Sequence, residues 1–448
     1  MSLLDTYRSD LKANLKLAWP IILGQLGQVS VNIIDNLMVG QLGATALASV
    51  SLAIAIFIIF LVVGIGVSMS LQPLVAEAEA REDHQRVSYS FKHSFIVNLL
   101  FALLSVLAVE LTMPLLYQLG QEPAVVAGAI PYLRICVWSM VPLMMFQALR
   151  GLSEGLSTTA PPMIAMLIGN VVNVLLNYML IYGNWGAPKL GVEGAAWGTL
   201  ASRGVMLIVL LILSRFWIRK AVLSIWDYLI KIDPKTYSID YFKKVLSLGI
   251  PTSLQMLFEV GAFAAAAIMM GMIGEEAQAA HQITINAVSA TFMVCTGLSV
   301  AATVRVGSAL GRDDREGMRK AGIAAIAQSI LFMSFAAVLI TIFRHIIPTF
   351  YIDNEEVISI AASLFLIAAI FQISDGVQVA AIGALRGMQD IWWPTLVTFF
   401  AYICIGLPFS WISAFHTELG YQGIWIGLLI GLSLSAAMNA WRFHLKTK

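Results

Sequence analysis

Runs of about 20 predominantly apolar residues recur along the whole of this chain, each long enough to cross a ~30 Å hydrocarbon core. They lie at about 17–37, 46–72, 93–117, 127–149, 161–183, 192–214, 243–268, 278–303, 321–343, 357–384, 393–414 and 420–441. A soluble domain needs about 25% charged residues to cover its surface, and this chain has 12% against 59% hydrophobic. Inside lipid the backbone must satisfy its own hydrogen bonds, which leaves helices or closed barrels. Continuous apolar runs of this length select helices. The expectation is an all-α polytopic membrane protein of twelve spans.

Lys and Arg set the orientation. With the N-terminus inside, twenty-three of the 27 basic residues fall on inside segments and only Lys189 and Arg344 on outside loops; Arg134 and Arg203 fall within spans. An extra or missing span would invert half of that tally. Both termini are therefore expected to be cytoplasmic. The first apolar run follows Arg8, Lys12 and Lys16 without a small-residue cleavage site and reads as a retained span rather than a removed signal.

The two halves repeat. Pro20, Gly40, Gly43 and Gly66 recur, at a spacing of 231, as Pro251, Gly271, Gly274 and Gly297, and AREDHQR (80–86) falls on GRDDREG (311–317). At a spacing of 236, ALRG (148–151) recurs at 384–387; at 229, GVEGAAWG (191–198) falls on GYQGIWIG (420–427). Three blocks in order imply two pseudo-symmetric six-helix lobes in parallel orientation, a transporter design. The boundaries expected are 1–214 for the N-lobe, 215–242 for a basic cytoplasmic linker, and 243–448 for the C-lobe.

Asp35 is the sole formal charge between Leu17 and Ala76. A carboxylate at a helix centre in lipid costs about 2.5–3.5 kcal/mol on insertion scales, so it marks function by default. Glu259 stands alone in span 7 and Asp375 in span 10. Polar partners share their helix faces: Gln28 and Asn32 with Asp35, Thr252 and Gln255 with Glu259, Gln372 and Gln378 with Asp375. Such stripes must face protein or a water-filled cavity. Span 5 adds Asn170, Asn173 and Asn177 on one face, and span 6 offers Thr199. A carboxylate with amide and hydroxyl oxygens suits Na⁺; a carboxylate alone can instead carry a proton. Packing competes with function at several of these positions: Asn170 reads first as a helix-packing amide, Arg134 as a snorkelling side chain, and His281 as a buried histidine before a proton carrier. Arg203 sits deeper and is expected to pair with a carboxylate or carbonyls.

Other chemistries are excluded. A net charge of +1 argues against nucleic acid. No G-x-x-x-x-G-K-[ST] or H-E-x-x-H occurs, so neither P-loop ATP binding nor zincin chemistry is expected. GLSEG (151–155) matches a nucleophile elbow, but an apolar helix precedes it where a strand is required. Cys136, Cys295 and Cys404 lie in apolar segments and read as packing residues. An enzyme and a cofactor are not expected.

IIDNLMVGQLG in span 1, ALRG after spans 4 and 10, GVEGAAWGT entering span 6, AAHQI in span 8 and Glu259 in span 7 together resemble multidrug and toxic compound extrusion (MATE) transporters of the NorM branch. The resemblance runs from about Leu17 to Trp441. It implies two six-helix lobes in a V, alternating access, and export of small hydrophobic, mostly cationic drugs or dyes across a prokaryotic inner membrane by a monomer. Na⁺ or H⁺ would be the coupling ion. It places an N-lobe cation site on Asp35, Asn173, Asn177 and Thr199, and a C-lobe site on Glu259 and Asp375. The cavity candidates are Gln28, Asn32, Gln255, His281, Gln372 and Gln378. Some relatives carry Asp where this chain has Asn177, which leaves a single carboxylate in the N-lobe. A lipid-linked oligosaccharide flippase shares the architecture, but its anionic headgroup calls for a cationic groove and the lone charges here are mostly anionic. An ion channel is a further alternative; paired repeats with buried carboxylates suit occlusion better than an open pore.

Overall fold

The computed structural model describes residues 3–118, 120–217 and 237–448. Most of the expected linker, 218–236, lies outside the described residues. Among those described, twelve helices are long and apolar enough to cross a membrane. They are span 1 (Arg8–Gly40), span 2 (Ala44–Ala80), span 3 (His84–Gln118), span 4 (Pro123–Gly155), span 5 (Ala160–Tyr182) and span 6 (Val192–Phe216). The second half supplies span 7 (Ile239–Ile273), span 8 (Glu275–Gly311), span 9 (Arg315–Phe343), span 10 (Glu355–Gly387), span 11 (Trp392–Phe415) and span 12 (Tyr421–Thr447). Several outrun their apolar cores. The 37 residues of span 8 extend about 55 Å at 1.5 Å per residue. The polar ends of AREDHQR and GRDDREG thus become helix termini rather than loops.

Local geometry shows the repeat residue by residue. The span 2–3 turn puts Glu82 in left-handed conformation (φ 58°), and the span 8–9 turn does the same with its repeat mate Asp313 (φ 54°). Each turn closes with a backbone bond of one length class, Asp83 N to Ala78 O at 3.0 Å and Asp314 N to Ala309 O at 2.9 Å. Each following helix is capped by the aspartate, which accepts from the backbone N–H three residues on: Arg86 at 2.9 Å and Gly317 at 2.8 Å.

The chain divides into two compact units, Leu23–Ser253, and Met1–Ile22 with Leu254–Lys448. The division falls inside spans 1 and 7, two or three residues after Pro20 and Pro251, where a proline removes a helix hydrogen bond. Contact thus divides the chain differently from the 215–242 junction that marks the repeat in sequence. In the first unit, Ser253 Oγ donates to Val63 O at 2.7 Å, and a Cβ on Gly66 would lie 2.5 Å from Ser253 Cα. In the second, a Cβ on Gly297 would lie 2.5 Å from Ile22 Cγ1. Gly66 and Gly297 are repeat mates at 231, and so are Ile22 and Ser253. Each half therefore lends the opening stretch of its first helix to the unit built by the other.

Packing fills each unit with apolar side chains. Phe57, Val106, Leu133, Met140 and Met144 lie in the core of the first; Phe365, Phe371, Tyr402, Trp425 and Leu428 lie in the core of the second. Residues 8–22 are held in the second unit by polar contacts as well. Arg305 Nη1 donates to Asp10 O at 2.8 Å and Asn14 Oδ1 at 2.7 Å, and its Nη2 meets the Asp10 carboxylate. Asn14, fully buried, donates to Ala321 O at 3.2 Å, and Gln328 donates to Leu11 O at 2.9 Å.

Arg305→Ala should strip a charged donor from Asp10 and Asn14 and cost about 1.5–3 kcal/mol. Hydrogen exchange at residues 10–14 should accelerate while that of spans 2–6 stays unchanged.

Candidate functional site

In the Leu23–Ser253 unit, spans 1 and 5 run parallel and touch at small residues. A Cβ on Gly24 would lie 3.2 Å from Met166 Sδ, and one on Gly27 would lie 2.9 Å from Asn170 Nδ2. Two turns further the same interface brings Asp35 against Asn177, whose Nδ2 donates to Asp35 Oδ1 at 2.7 Å. Partners distinguish the nitrogen of a side-chain amide from its oxygen. Asn173 faces the two Asp35 oxygens, so its nitrogen donates to them at 2.8 and 3.3 Å. The register ends at Tyr182, whose hydroxyl donates to Met38 O and Gln41 Oε1, both at 2.9 Å.

Span 6 runs antiparallel to span 5 and closes on it through a column of small residues. A Cβ on Gly194 would lie 2.5 Å from Leu180 O, and one on Gly198 would lie 2.1 Å from Asn177 Oδ1. Gly198 therefore makes the place that Asn177 needs to reach Asp35. The signal was in the sequence, because Gly194, Gly198 and Ser202 repeat every four residues along one helix ridge. Thr199 joins the neighbourhood without bonding to Asp35; its hydroxyl donates to Ala195 O at 3.0 Å. Asn170 stays buried with its Nδ2 unpartnered. Of the span 1 stripe, Gln28 is half-buried and Asn32 exposed.

The other unit holds the second group. Asp375 is buried, at 4% exposure, and lies within electrostatic reach of Glu259, which is itself within reach of Arg386. Arg386 counted among the inside connecting residues in the sequence, yet the end of span 10 buries it to 5% exposure. Gln372 accepts from Thr291 Oγ1 at 3.0 Å, and Gln378 accepts from the Tyr402 hydroxyl at 3.0 Å. Tyr402 lies where span 11 widens to π-helical turns over Phe399–Gly406. Such widening often accompanies functional sites. Nothing in the apolar run FFAYICIG singled it out. Gln255 is buried with its Oε1 unpartnered, and His281 is buried edge-on to the Trp425 ring at 5.7 Å. Arg134, exposed within the first helix of span 4, pairs with Glu110 at 2.9 Å.

Chemically, each unit presents carboxylate oxygens among amides and hydroxyls in an otherwise apolar interior. Hard monovalent cations, protons and organic cations are the ligands such groups take. Around Asp35 both amides now present nitrogen. A half-turn of the Asn173 amide would place its oxygen beside the carboxylate instead, so the same three atoms can serve a hydrogen bond or a cation.

Comparison with known proteins agrees with this architecture. The MatE family profile matches the chain twice, over residues 20–179 and 251–412, the two halves of the repeat. Among curated relatives, the probable multidrug resistance protein NorM of Rhizobium meliloti is 35% identical over 444 residues, covering 98% of this chain and 94% of that one. The multidrug resistance protein NorM of Photobacterium profundum is 32% identical over 445 residues, covering 98% and 96%. Among solved structures, a MATE protein in complex with MaL6 superposes with a TM-score of 0.89 at 22% identity, covering 98% and 96%. A MOP superfamily transporter from Pyrococcus furiosus gives 0.88 at 22% identity with the same coverage.

Gly198→Ala should force Asn177 away from Asp35, and overpacking of this kind costs about 1–3 kcal/mol. Gly204→Ala, where a Cβ meets nothing within 4 Å, is the matched control. Thermal unfolding of the purified protein should separate the two.

Proposed function

The chain belongs to the MatE family, and on that premise we propose that it is a multidrug efflux antiporter of a prokaryotic inner membrane, coupled to Na⁺ or H⁺. The observation that carries this reading is the Asp35 carboxylate, set among apolar spans and held by two amides that can present either nitrogen or oxygen. A carboxylate kept in such a place at an insertion cost has a use for its charge. Its partners in exchange are a coupling ion and a small hydrophobic cation. The relatives' name, multidrug resistance protein, supports the second.

Glu259 and Asp375 supply a second cation site in the same scheme. Two carboxylates within electrostatic reach repel each other, and a bound Na⁺ or proton relieves that repulsion. Gln372 and Gln378, bonded to Thr291 and Tyr402, flank Asp375 along span 10, and Tyr402 is within electrostatic reach of both carboxylates. Residues present at Asp35 fit a Na⁺ ion through the carboxylate and, after amide rotation, Asn173 Oδ1. Thr199 could join through its oxygen lone pairs while its proton stays on Ala195 O. A ligand shifts a conformational equilibrium only by binding its two states unequally. Exchange of ion for drug at these carboxylates would supply that difference to an alternating-access cycle. The termini and the 215–242 segment are cytoplasmic in this reading, as the basic residues direct.

Cells expressing the chain should accumulate less ethidium than cells with an empty vector, and equal accumulation with confirmed membrane insertion would sink the efflux reading. Asp35→Asn should abolish efflux with folding and insertion intact, since the amide fills the same space. Glu259→Gln and Asp375→Asn should weaken the Na⁺ dependence of efflux more than drug binding, read by transport in proteoliposomes under separately imposed Na⁺ and H⁺ gradients. Cysteines placed in 218–236 should resist an impermeant reagent in intact cells; labelling there would invert the topology.

A further inference from the structure

Span 6 carries an internal cation that the site described above does not use. Arg203 follows Thr199 by one helical turn, so the two share a face. Its guanidinium donates to Ser139 Oγ in span 4 and lies over the Phe57 ring of span 2, 5.2 Å from the centroid. Ser139 marks the break in span 4 between the helices Pro123–Trp138 and Met140–Gly155, and its hydroxyl donates in turn to Cys136 O. Among the described carboxylates, Asp35 is the one within electrostatic reach of Arg203; Tyr132 and Cys136 are its other titratable neighbours. The two charges make no direct ion pair; the Asp35 oxygens accept from Asn177 and Asn173.

The repeat shows how particular this arrangement is to one half. At the spacings established above, Arg203 falls on Leu432, Ser139 on Asp375 and Asp35 on Ala266. Span 10 runs unbroken through Asp375, and Leu432 is fully buried. Where the first half has a guanidinium on a serine, the second has a leucine and a carboxylate at the matching positions. The charged positions of the two sites thus do not coincide across the repeat. Asp35 works beside Arg203, and Asp375 works beside Glu259, which has Arg386 within reach.

We propose that Arg203 is the resident counter-cation of Asp35, a specificity-determining residue that weakens the binding of mobile cations there. A cation arriving at Asp35 must enter the field of a guanidinium that ring and hydroxyl hold in place. A dication meets that field twice over. Weak binding at Asp35 serves an exchanger, since a ligand held there must also leave. The inference rests on the cation-binding reading of these carboxylates.

The test uses the full chain, purified, with Na⁺ titrated calorimetrically against a choline background. Arg203→Gln should tighten Na⁺ binding about ten-fold or more, as removal of a like charge at this range predicts. The gain should vanish when Asp35→Asn is added, and Arg203→Lys should keep the wild-type isotherm. Phe57→Leu retains the arginine and frees it from its ring, so a smaller shift of the same sign is expected and gives a second route if Arg203→Gln fails to fold. Arg203→Gln should also favour a dicationic dye over a monocationic one in competition binding, which a purely structural arginine would not do. An unchanged isotherm in both Arg203→Gln and Phe57→Leu overturns the proposal, as does a gain that survives Asp35→Asn. A wild type that binds no Na⁺ and releases no protons on drug addition overturns the coupling reading instead. An Asp35-dependent gain in Arg203→Gln is scored against its own double variant and decides the counter-cation independently.

Discussion

Lipid offers no hydrogen-bond partner, and that one constraint organises everything else in the molecule. It makes every crossing segment a helix. It also penalises a polar side chain left without a partner within a span, and Asp35, Asn173 and Asn177 find one another. They can do so only where backbones come unusually close. Gly24 and Gly27 bring span 1 onto span 5, and Gly194 and Gly198 bring span 6 onto the other side of it. The polar site is therefore a product of glycine positions as much as of the carboxylate itself. In the second half, Gly423, Gly427 and Gly431 hold span 12 to span 11 by the same device. There the side chain opposite Gly427 is Ser410, which returns its hydroxyl to Ile424 O at 3.0 Å. One scaffold carries an amide for a carboxylate in one half and a closed backbone contact in the other.

The span count, the repeat and the carboxylates were legible in the sequence because each follows from a local rule. Apolar length gives the spans, and equal spacing of Pro20 and Pro251 or of the two capped turns gives the repeat. Helical spacing put Asn173 and Asn177 on one face, and the structure brings both to Asp35. What stayed hidden depends on contacts distant in the chain. The basic stretch at 215–242 stands out in composition, while nothing local reveals that compact packing changes over at Ile22 and Ser253. Arg386 looks like an orienting charge at a span end, and only tertiary packing buries it beside Glu259. Tyr402 sits in an apolar run with no period to expose it, and its role appears once its hydroxyl is seen on Gln378. Thr199 was legible as a hydroxyl near the site, but its bond back to Ala195 O is a choice between two acceptors that spacing does not make.

The two halves also show how a duplicated architecture acquires unequal chemistry. The turns at Glu82 and Asp313 close with nearly equal hydrogen bonds, 3.0 Å in one and 2.9 Å in the other. Capping aspartates recur with them. The carboxylates of the two sites do not recur: Asp35 aligns with Ala266 across the repeat, Glu259 with Gln28, and Asp375 with Ser139. Surface turns preserve the fold's connections, and those tolerate no drift in backbone conformation. A buried position needs only the right volume and satisfied polar atoms, so it is free to gain or lose a charge between halves.

The lending of helix ends at Ile22 and Ser253 bears on how the protein is made. Residues 8–22 are translated well before their partners Ala301, Arg305, Ala321 and Gln328. Span 2 likewise waits for Ser253 before Gly66 is covered. Neither unit can finish packing while the chain is half translated, so biogenesis must hold an incomplete first unit in the membrane until span 7 arrives. Two half-length polypeptides would each lack a piece that only the other carries. Each half therefore depends on the other to complete its packing.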